Sequence, residues 1–207
     1  MLQRTDDWYK QREGRFTASQ ISRLLGKETL ARTKQSIDTY AFEKAIETIY
    51  GREEDTYVSE DMQRGINQEP LAFALFKDLK GYEFLSVKEV GFYKFDEHAG
   101  ASPDGQVSDN SNLEIKCPRR NKFFKIVANG INEVDFSYIA QMQMQMMCTN
   151  TEKSYFLNYY LENSIQYWHE IVIERDEELI NLIKERVVMA TEIKLEYMKK
   201  INQNSQW

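Results

Sequence analysis

Apolar residues recur at helical spacing through the first part of the chain, alternate in the middle, and return to helical spacing at the end. Trp8 and Tyr9 fall in a short helix that Asp6 or Asp7 can cap. Thr17-Ala18-Ser19-Gln20 has capping-box spacing ahead of Ile21, Leu24 and Leu25, with Gly26 as the stop. Ser36 can begin a third helix, whose Ile37, Tyr40, Ala41, Ala45 and Ile49 keep one face apolar up to Gly51. Residues 59–79 read as helix again, with Pro70 expected to break or kink it and Gly81 to end it. Residues 82–87, 90–95, 102–107 and 113–117 are then short strands between turn residues. A helix is expected after Pro118 and another over 137–147, followed by strands over 153–160 and 166–173. The last helix runs from Asp176 to about Lys200, its acids early and its lysines late, as the helix dipole favours. This order predicts an α/β fold, a central mixed β-sheet flanked by helices. With no Pro- or Gly-rich linker and no repeat, residues 1–207 are expected to form one domain.

The alternation in 113–117 carries the chemistry. Leu113, Ile115 and Cys117 face one way and Glu114 and Lys116 the other. A hairpin centred on residue 110, with 108–112 as its loop, would set Asp104 opposite Lys116 and diagonal to Glu114. Diagonal neighbours lie roughly 7–8 Å apart, near enough for two carboxylates to converge on one ion. A slip of one residue would turn Asp104 to the wrong face. Glu-x-Lys alone is common on solvated strands. A turn aspartate before it and a basic stretch behind it change the odds. Paired carboxylates suit Mg²⁺, which takes oxygen ligands and commonly completes its shell with phosphate, and a nearby ammonium can orient water or stabilise an anionic transition state. This is the chemistry of phosphodiester hydrolysis.

Charge sharpens that expectation. Across 207 residues, 27 Lys and Arg stand against 33 Asp and Glu, a formal charge of −6 that excludes a histone-like protein holding DNA by bulk charge. Residues 1–34, however, hold eight basic side chains against four acids. Residues 114–125 hold five against Glu114 alone, leaving −14 for the rest. Two basic clusters on an acidic body fit local contact with a polyanion. No apolar run approaches the length of a membrane span, and the first residues lack the apolar stretch of a signal peptide, so the expected location is cytoplasmic. Cys117, Cys148, His98 and His169 are too few and scattered for a four-ligand zinc site.

At these residues the sequence resembles the PD-(D/E)xK nucleases, whose core is that of restriction endonucleases, and within them the phage lambda-type (YqaJ-like) alkaline exonucleases of viral recombination. The resemblance is carried by Trp8-Tyr9-Lys10-Gln11-Arg12 with Phe16-Thr17-Ala18-Ser19, and by Arg64-Gly65 with Gln68-Glu69. It continues through Ala101-Ser102-Pro103-Asp104-Gly105, Leu113-Glu114-Ile115-Lys116-Cys117-Pro118, Tyr138-Ile139-Ala140-Gln141-Met142-Gln143 and Val172-Ile173-Glu174-Arg175-Asp176. Each block is weak alone; their order and spacing together are specific.

The resemblance implies a Mg²⁺-dependent enzyme degrading the 5′-ended strand of linear double-stranded DNA to mononucleotides, leaving 3′ overhangs. It implies two metal ions per site, with Mn²⁺ able to substitute, held by Asp104, Glu114 and the backbone carbonyl of Ile115. Lys116 matches the catalytic lysine, Glu69 a further acid near the metals and Gln141 a glutamine beside them. Arg12 and Ser19, assisted by Ser102, match the 5′-phosphate site; Ser19, in the first turn of a helix, would offer free N–H groups to an anion. Met62 stands where the family has an apolar wedge for the terminal base pair, core packing being the alternative. Tyr138, Arg119 and Arg120 are candidate DNA contacts, and Met142 and Met146 are expected to pack. A ring-shaped homotrimer, a phage single-strand annealing protein as partner and a bacterial host cell as setting are implied as well. The rivals are an endonuclease or junction resolvase on the same core, a non-catalytic DNA-end-binding protein, and a purely structural module.

Overall fold

A computed structural model of the chain describes residues 3–26, 30–52 and 59–204, with side chains at all of these except 30–33. Helix α1 spans Asp6–Arg12 and is capped by Thr5, whose hydroxyl accepts from the Trp8 N–H; Asp6 and Asp7 occupy the first turn instead, where the dipole favours acids. Strand β1 is Phe16–Thr17, and the capping-box segment after it is a single 3-10 turn, Ala18–Gln20, leading into the short α2, Ser22–Leu25. Thr17 makes no side-chain cap there. Gly26 ends α2 with a φ of 63°, which suits a residue without Cβ. Helix α3, Leu30–Tyr50, begins ahead of Ser36, whose hydroxyl is drawn to the Arg23 carbonyl at 2.7 Å. Helix α4, Glu60–Tyr82, runs unbroken through Pro70. The proline removes one backbone donor, but Ser59 caps one end and buried Ala72 and Phe76 hold the other against the sheet. Residues 82–84, read as strand, are the end of α4 and its cap.

Two sheets form where one was expected. The smaller has the order β1-β4-β3, with β4 at Ala99–Ala101 and β3 at Tyr93–Lys94. The pattern missed β4 because Ala99-Gly100-Ala101 carries no β-branched or aromatic residue. The larger sheet has the order β2-β5-β6-β7-β8: Val87–Lys88, Gly105–Val107, Ser111–Lys116, Lys153–Glu162 and Ile165–Glu174. Only β6 and β7 pair in parallel, so the sheet is mixed. Helix α4 covers one face through Ala72 and Phe76, which pack on Leu113, Ile115, Tyr155, Leu157 and Tyr159. Helices α5, Arg120–Asn129, and α6, Phe136–Thr149, cover the other through Ile126, Met142 and Met146 on Phe156 and Ile173. Met142 and Met146 are packing residues, as expected.

The final helix α7, Glu177–Asn204, packs Ile180, Ile183, Val187 and Ala190 against α2, α3 and α6. Beyond that stripe it buries Lys194, 2 % exposed, whose Nζ donates to the Gly14 carbonyl at 2.7 Å and lies 3.5 Å from His98 Nδ1. Burial lowers this ammonium from 10.5 to about 8; Arg15 and Lys44 add to the shift, while Glu47 and Asp96 oppose it. Between those two values the unfolded chain binds more protons than the folded one, so the contribution of Lys194 to stability rises with pH across that window and is flat below it. Denaturant unfolding of wild type and Lys194→Met at the two ends of the window should show wild type gaining on the variant as pH rises; a constant difference would contradict the burial argument.

Candidate active site

The loop between β5 and β6 decides what faces Glu114. It is three residues long, 108–110, with Asn110 in the left-handed region at φ 63° and its N–H on the Val107 carbonyl. Gly105 therefore pairs with Leu113 and Val107 with Ser111, centring the hairpin on residue 109. Continuing that register, Asp104 is opposite Glu114, not Lys116. The partner has shifted by two residues, which preserves the face and brings the two carboxylates closer than a diagonal would. The Asp104 N–H donates to the Leu113 carbonyl at 2.9 Å, and the Ile115 N–H donates to Asp104 Oδ2 at 2.7 Å.

Glu114 is 1 % exposed and has three partners. Gln141 Nε2 donates to Oε1 at 2.7 Å, Gln145 Nε2 donates to Oε2 at 2.6 Å, and Lys116 Nζ lies 2.5 Å from Oε1. Gln141 also accepts from Lys116 through its own oxygen at 3.3 Å, so one amide fixes both charged groups. The ammonium sits 4.8 Å from the centre of the Tyr138 ring. Burial pulls Lys116 down, but Glu114 and then Asp104 outweigh it and hold the ammonium above its ordinary value.

Asp104 shows the opposite imbalance. Burial, then the charges of Glu114 and Glu69, push its carboxyl well above the usual carboxylate range, against the pull of Lys116 and the Ile115 N–H. Glu69 is raised as well, by burial first, despite an ion pair with Arg4 at 2.6 Å. Glu69, Asp104, Ile115 and Arg4 line one cavity of about 230 Å³. Surplus negative charge with oxygen donors fits a hard divalent cation that brings its own waters. Among the described residues no three of His, Cys, Asp and Glu close into a preformed metal cage. Asp104, Glu69 and Ile115 of β6 at this cavity, with Glu114 opposite Asp104 in the sheet, make an open set of donors. Cys117 is no competing nucleophile: burial, then Glu69 and Asp104, push its thiol to about 12.

A second cluster lies on α1 and the turn after β1. The Arg12 guanidinium stacks 4.1 Å from the Trp8 ring centre, with Nη2 donating to Ser19 Oγ at 3.2 Å and Nη1 to Ser102 Oγ at 3.4 Å. Trp8 Nε1 holds Ser102 from the other side at 2.9 Å. Ser19 is in the 3-10 turn, not the first turn of an α-helix, so the anion argument from helix N–H groups fails and its hydroxyl is what it offers. The hollow beside it, about 450 Å³, is lined by Arg4, Arg12, Arg23, Lys44 and Arg52 against Glu43 and Glu47. Of the N-terminal basic cluster, Lys27 lies outside the described residues, as does the side chain of Arg32.

A groove of about 810 Å³ joins the two sites. It shares Arg4, Tyr9 and Ser19 with the arginine hollow, and Arg4, Glu69 and Ile115 with the carboxylate cavity. Lys116, Tyr138, Arg119 and Met62 line it. Met62 is 51 % exposed, which removes the core-packing alternative for it. Arg120 faces Glu162 at 3.8 Å and is not among the groove's lining residues. His98 and His169 lie outside both clusters. Sequence reasoning missed Gln145, although its spacing of four from Gln141 puts both amides on one helix face. Trp8 and Arg64 enter there only as parts of the resemblance and Arg4 only as part of the basic cluster; their contacts with Ser102, Cys117 and Glu69 join distant segments, which no local pattern reports.

A mixed-sheet α/β fold with a half-buried Asp–Glu–Lys site belongs to the class suggested by the sequence. Residues 7–152 match the YqaJ-like viral recombinase domain, and the chain belongs to that family. It is similar to an alkaline exonuclease from Laribacter hongkongensis, LHK-Exo, at 31% identity and a TM-score of 0.80, over 96% of this chain and 97% of that one. The same exonuclease in complex with dAMP matches at 29% identity and a TM-score of 0.80, again over 96% and 97%. A phage-related exonuclease from Haemophilus somnus 129PT shares the fold at 17% identity and a TM-score of 0.69, over 95% and 99%. Among curated protein sequences none matches. Family and structural relatives together support a DNA exonuclease. Among the described residues no helix is long and apolar enough to cross a membrane.

Proposed function

We propose that the chain is a Mg²⁺-dependent 5′→3′ exonuclease of linear double-stranded DNA, releasing mononucleotides from 5′-phosphorylated ends. The observation that carries this is the continuous path from the carboxylate–lysine site to the Arg12 cradle. Arg12, Ser19 and Ser102 hold the terminal phosphate, which sets the next phosphodiester at Lys116. Asp104, Glu114 and the Ile115 carbonyl would hold two Mg²⁺ ions, with Glu69 beside them, and bound Mg²⁺ (or Mn²⁺ in its place) supplies an activated water and neutralises developing charge. Lys116 orients the attacking water and stabilises the anionic transition state, and Gln141 keeps it aimed by holding Glu114 and Lys116 together. Met62, exposed at the groove's lip, would part the terminal base pair, while Tyr138 and Arg119 contact the backbone. From the family resemblance, a ring-shaped homotrimer and a phage annealing protein complete the proposal. A dAMP complex of the similar exonuclease is in keeping with a mononucleotide product.

The test compares linear duplex carrying 5′-phosphate or 5′-hydroxyl with covalently closed circles, in Mg²⁺ or chelator. Rapid loss of phosphorylated linear duplex, slower loss of hydroxyl ends, intact circles and no activity in chelator are expected. Circles cut as fast as linear DNA would favour an endonuclease or resolvase, and binding without degradation would favour an end-binding protein.

A further inference from the structure

An acid stands at the mouth of this groove, among the cations that would face DNA. Asp61, in the first turn of α4, accepts through one oxygen, Oδ1, from Arg64 Nη1 at 2.7 Å and Arg119 Nε at 2.6 Å. The hydrogen bond from Arg119, then that from Arg64, hold its carboxyl below the usual range. The two arginines differ in anchorage. The Arg119 side chain is 64% exposed, whereas that of Arg64 is 22% exposed and its Nε donates to the Cys117 carbonyl at 3.1 Å. Cys117 follows Lys116, so this bond ties the Arg64 guanidinium to the strand that carries the lysine. Loss of Asp61 would leave Arg64 in place. Asp61, Arg64, Arg119 and Lys116 all line the one groove.

We propose that Arg64 is a DNA-backbone-binding residue and that Asp61 is its placeholder, holding Arg64 and Arg119 at the groove mouth until a backbone phosphate takes its position. The inference rests on the groove being the DNA channel. A phosphate offers the paired acceptor oxygens that the guanidinium fork matches. An exposed carboxylate–arginine pair contributes little by itself, so the exchange is easily driven. The incoming phosphate belongs to a polyanion whose released counterions add to the drive. The phosphate concerned is internal to the strand, because Arg12, Ser19 and Ser102 take the terminal one.

Binding of a fluorescent, 5′-phosphorylated linear duplex, followed by anisotropy in chelator across a salt series, tests this. Asp61→Asn should tighten binding roughly two- to fivefold. Arg64→Ala should weaken it and reduce the salt slope by about one, and the double variant should lose the gain that Asp61→Asn gives. Binding by Asp61→Asn no tighter than by wild type overturns the inference, as does an unchanged salt slope in Arg64→Ala. Asp61 is exposed, so its Asn variant keeps the fold and decides the matter even where Arg64→Ala unfolds. A wild type that does not bind duplex brings down the exonuclease proposal as well, whereas normal wild-type binding with unmoved variants brings down this inference alone.

Discussion

Lys116→Ala should lower turnover of linear duplex by about a thousandfold or more while leaving binding of duplex ends largely intact. The lysine is held by Glu114 at 2.5 Å and Gln141 at 3.3 Å, over the Tyr138 ring, so its ammonium is pre-positioned at the carboxylate site and needs no reorganisation during reaction. On the proposed reading the end is held by Arg12, Ser19 and Ser102, which lie on other elements, so end binding should survive. The fold should survive too. Stripping one partner from a buried ion pair costs about 3–5 kcal/mol when the other charge is left alone, but Glu114 would keep both amide donors, Gln141 and Gln145. Single-turnover digestion beside anisotropy separates the effects. Wild-type turnover in the variant would remove the catalytic role, and equal loss of binding and turnover would make Lys116 a binding residue instead.

How far the site was legible beforehand follows from what each residue type reports. Alternation alone put Glu114 and Lys116 on one face and Leu113 and Ile115 on the other, because a strand has no alternative period. The pattern places Asp104 two residues from its actual partner, since loop length sets a hairpin register and nothing local distinguishes a three-residue loop with Asn110 in the left-handed region from a longer one. A shift of two preserves the face, so the two carboxylates meet on one side of the sheet. The helix through Pro70 shows the reverse: a strong local signal lost to tertiary packing by Ala72 and Phe76. Strand β4 lacks the side chains that favour strands, yet it fixes the backbone up to Ala101 and so delivers Ser102 to the cradle. The basic clusters were legible as charge but not as geometry. Arg4 reaches Glu69, 65 residues away, and Trp8 reaches Ser102, 94 residues away. Such contacts are properties of the fold, not of any segment.

Arg12→Ala should erase the preference for phosphorylated ends. The Arg12 guanidinium is anchored by the Trp8 ring and by two hydroxyl contacts of 3.2 and 3.4 Å, both longer than a strong charge-assisted bond. A phosphate offers it shorter ones. Burial lowers Arg12 to about 10, which still leaves it cationic at neutral pH while weakening the water screening around it. Charged hydrogen bonds of this kind contribute about 1.5–3 kcal/mol, so the ratio of kcat/KM for phosphate over hydroxyl ends should fall by roughly ten- to a hundredfold. Arg12→Lys should recover part of it, because a point charge at that site lacks the fork that reaches phosphate and hydroxyls together. The same ratio measured in Ser19→Ala should fall less, since one neutral donor is lost and the cation stays. A phosphate preference unmoved by Arg12→Ala would place the 5′-phosphate elsewhere in the arginine hollow, with Arg4, Arg23 and Arg52 the next to be substituted.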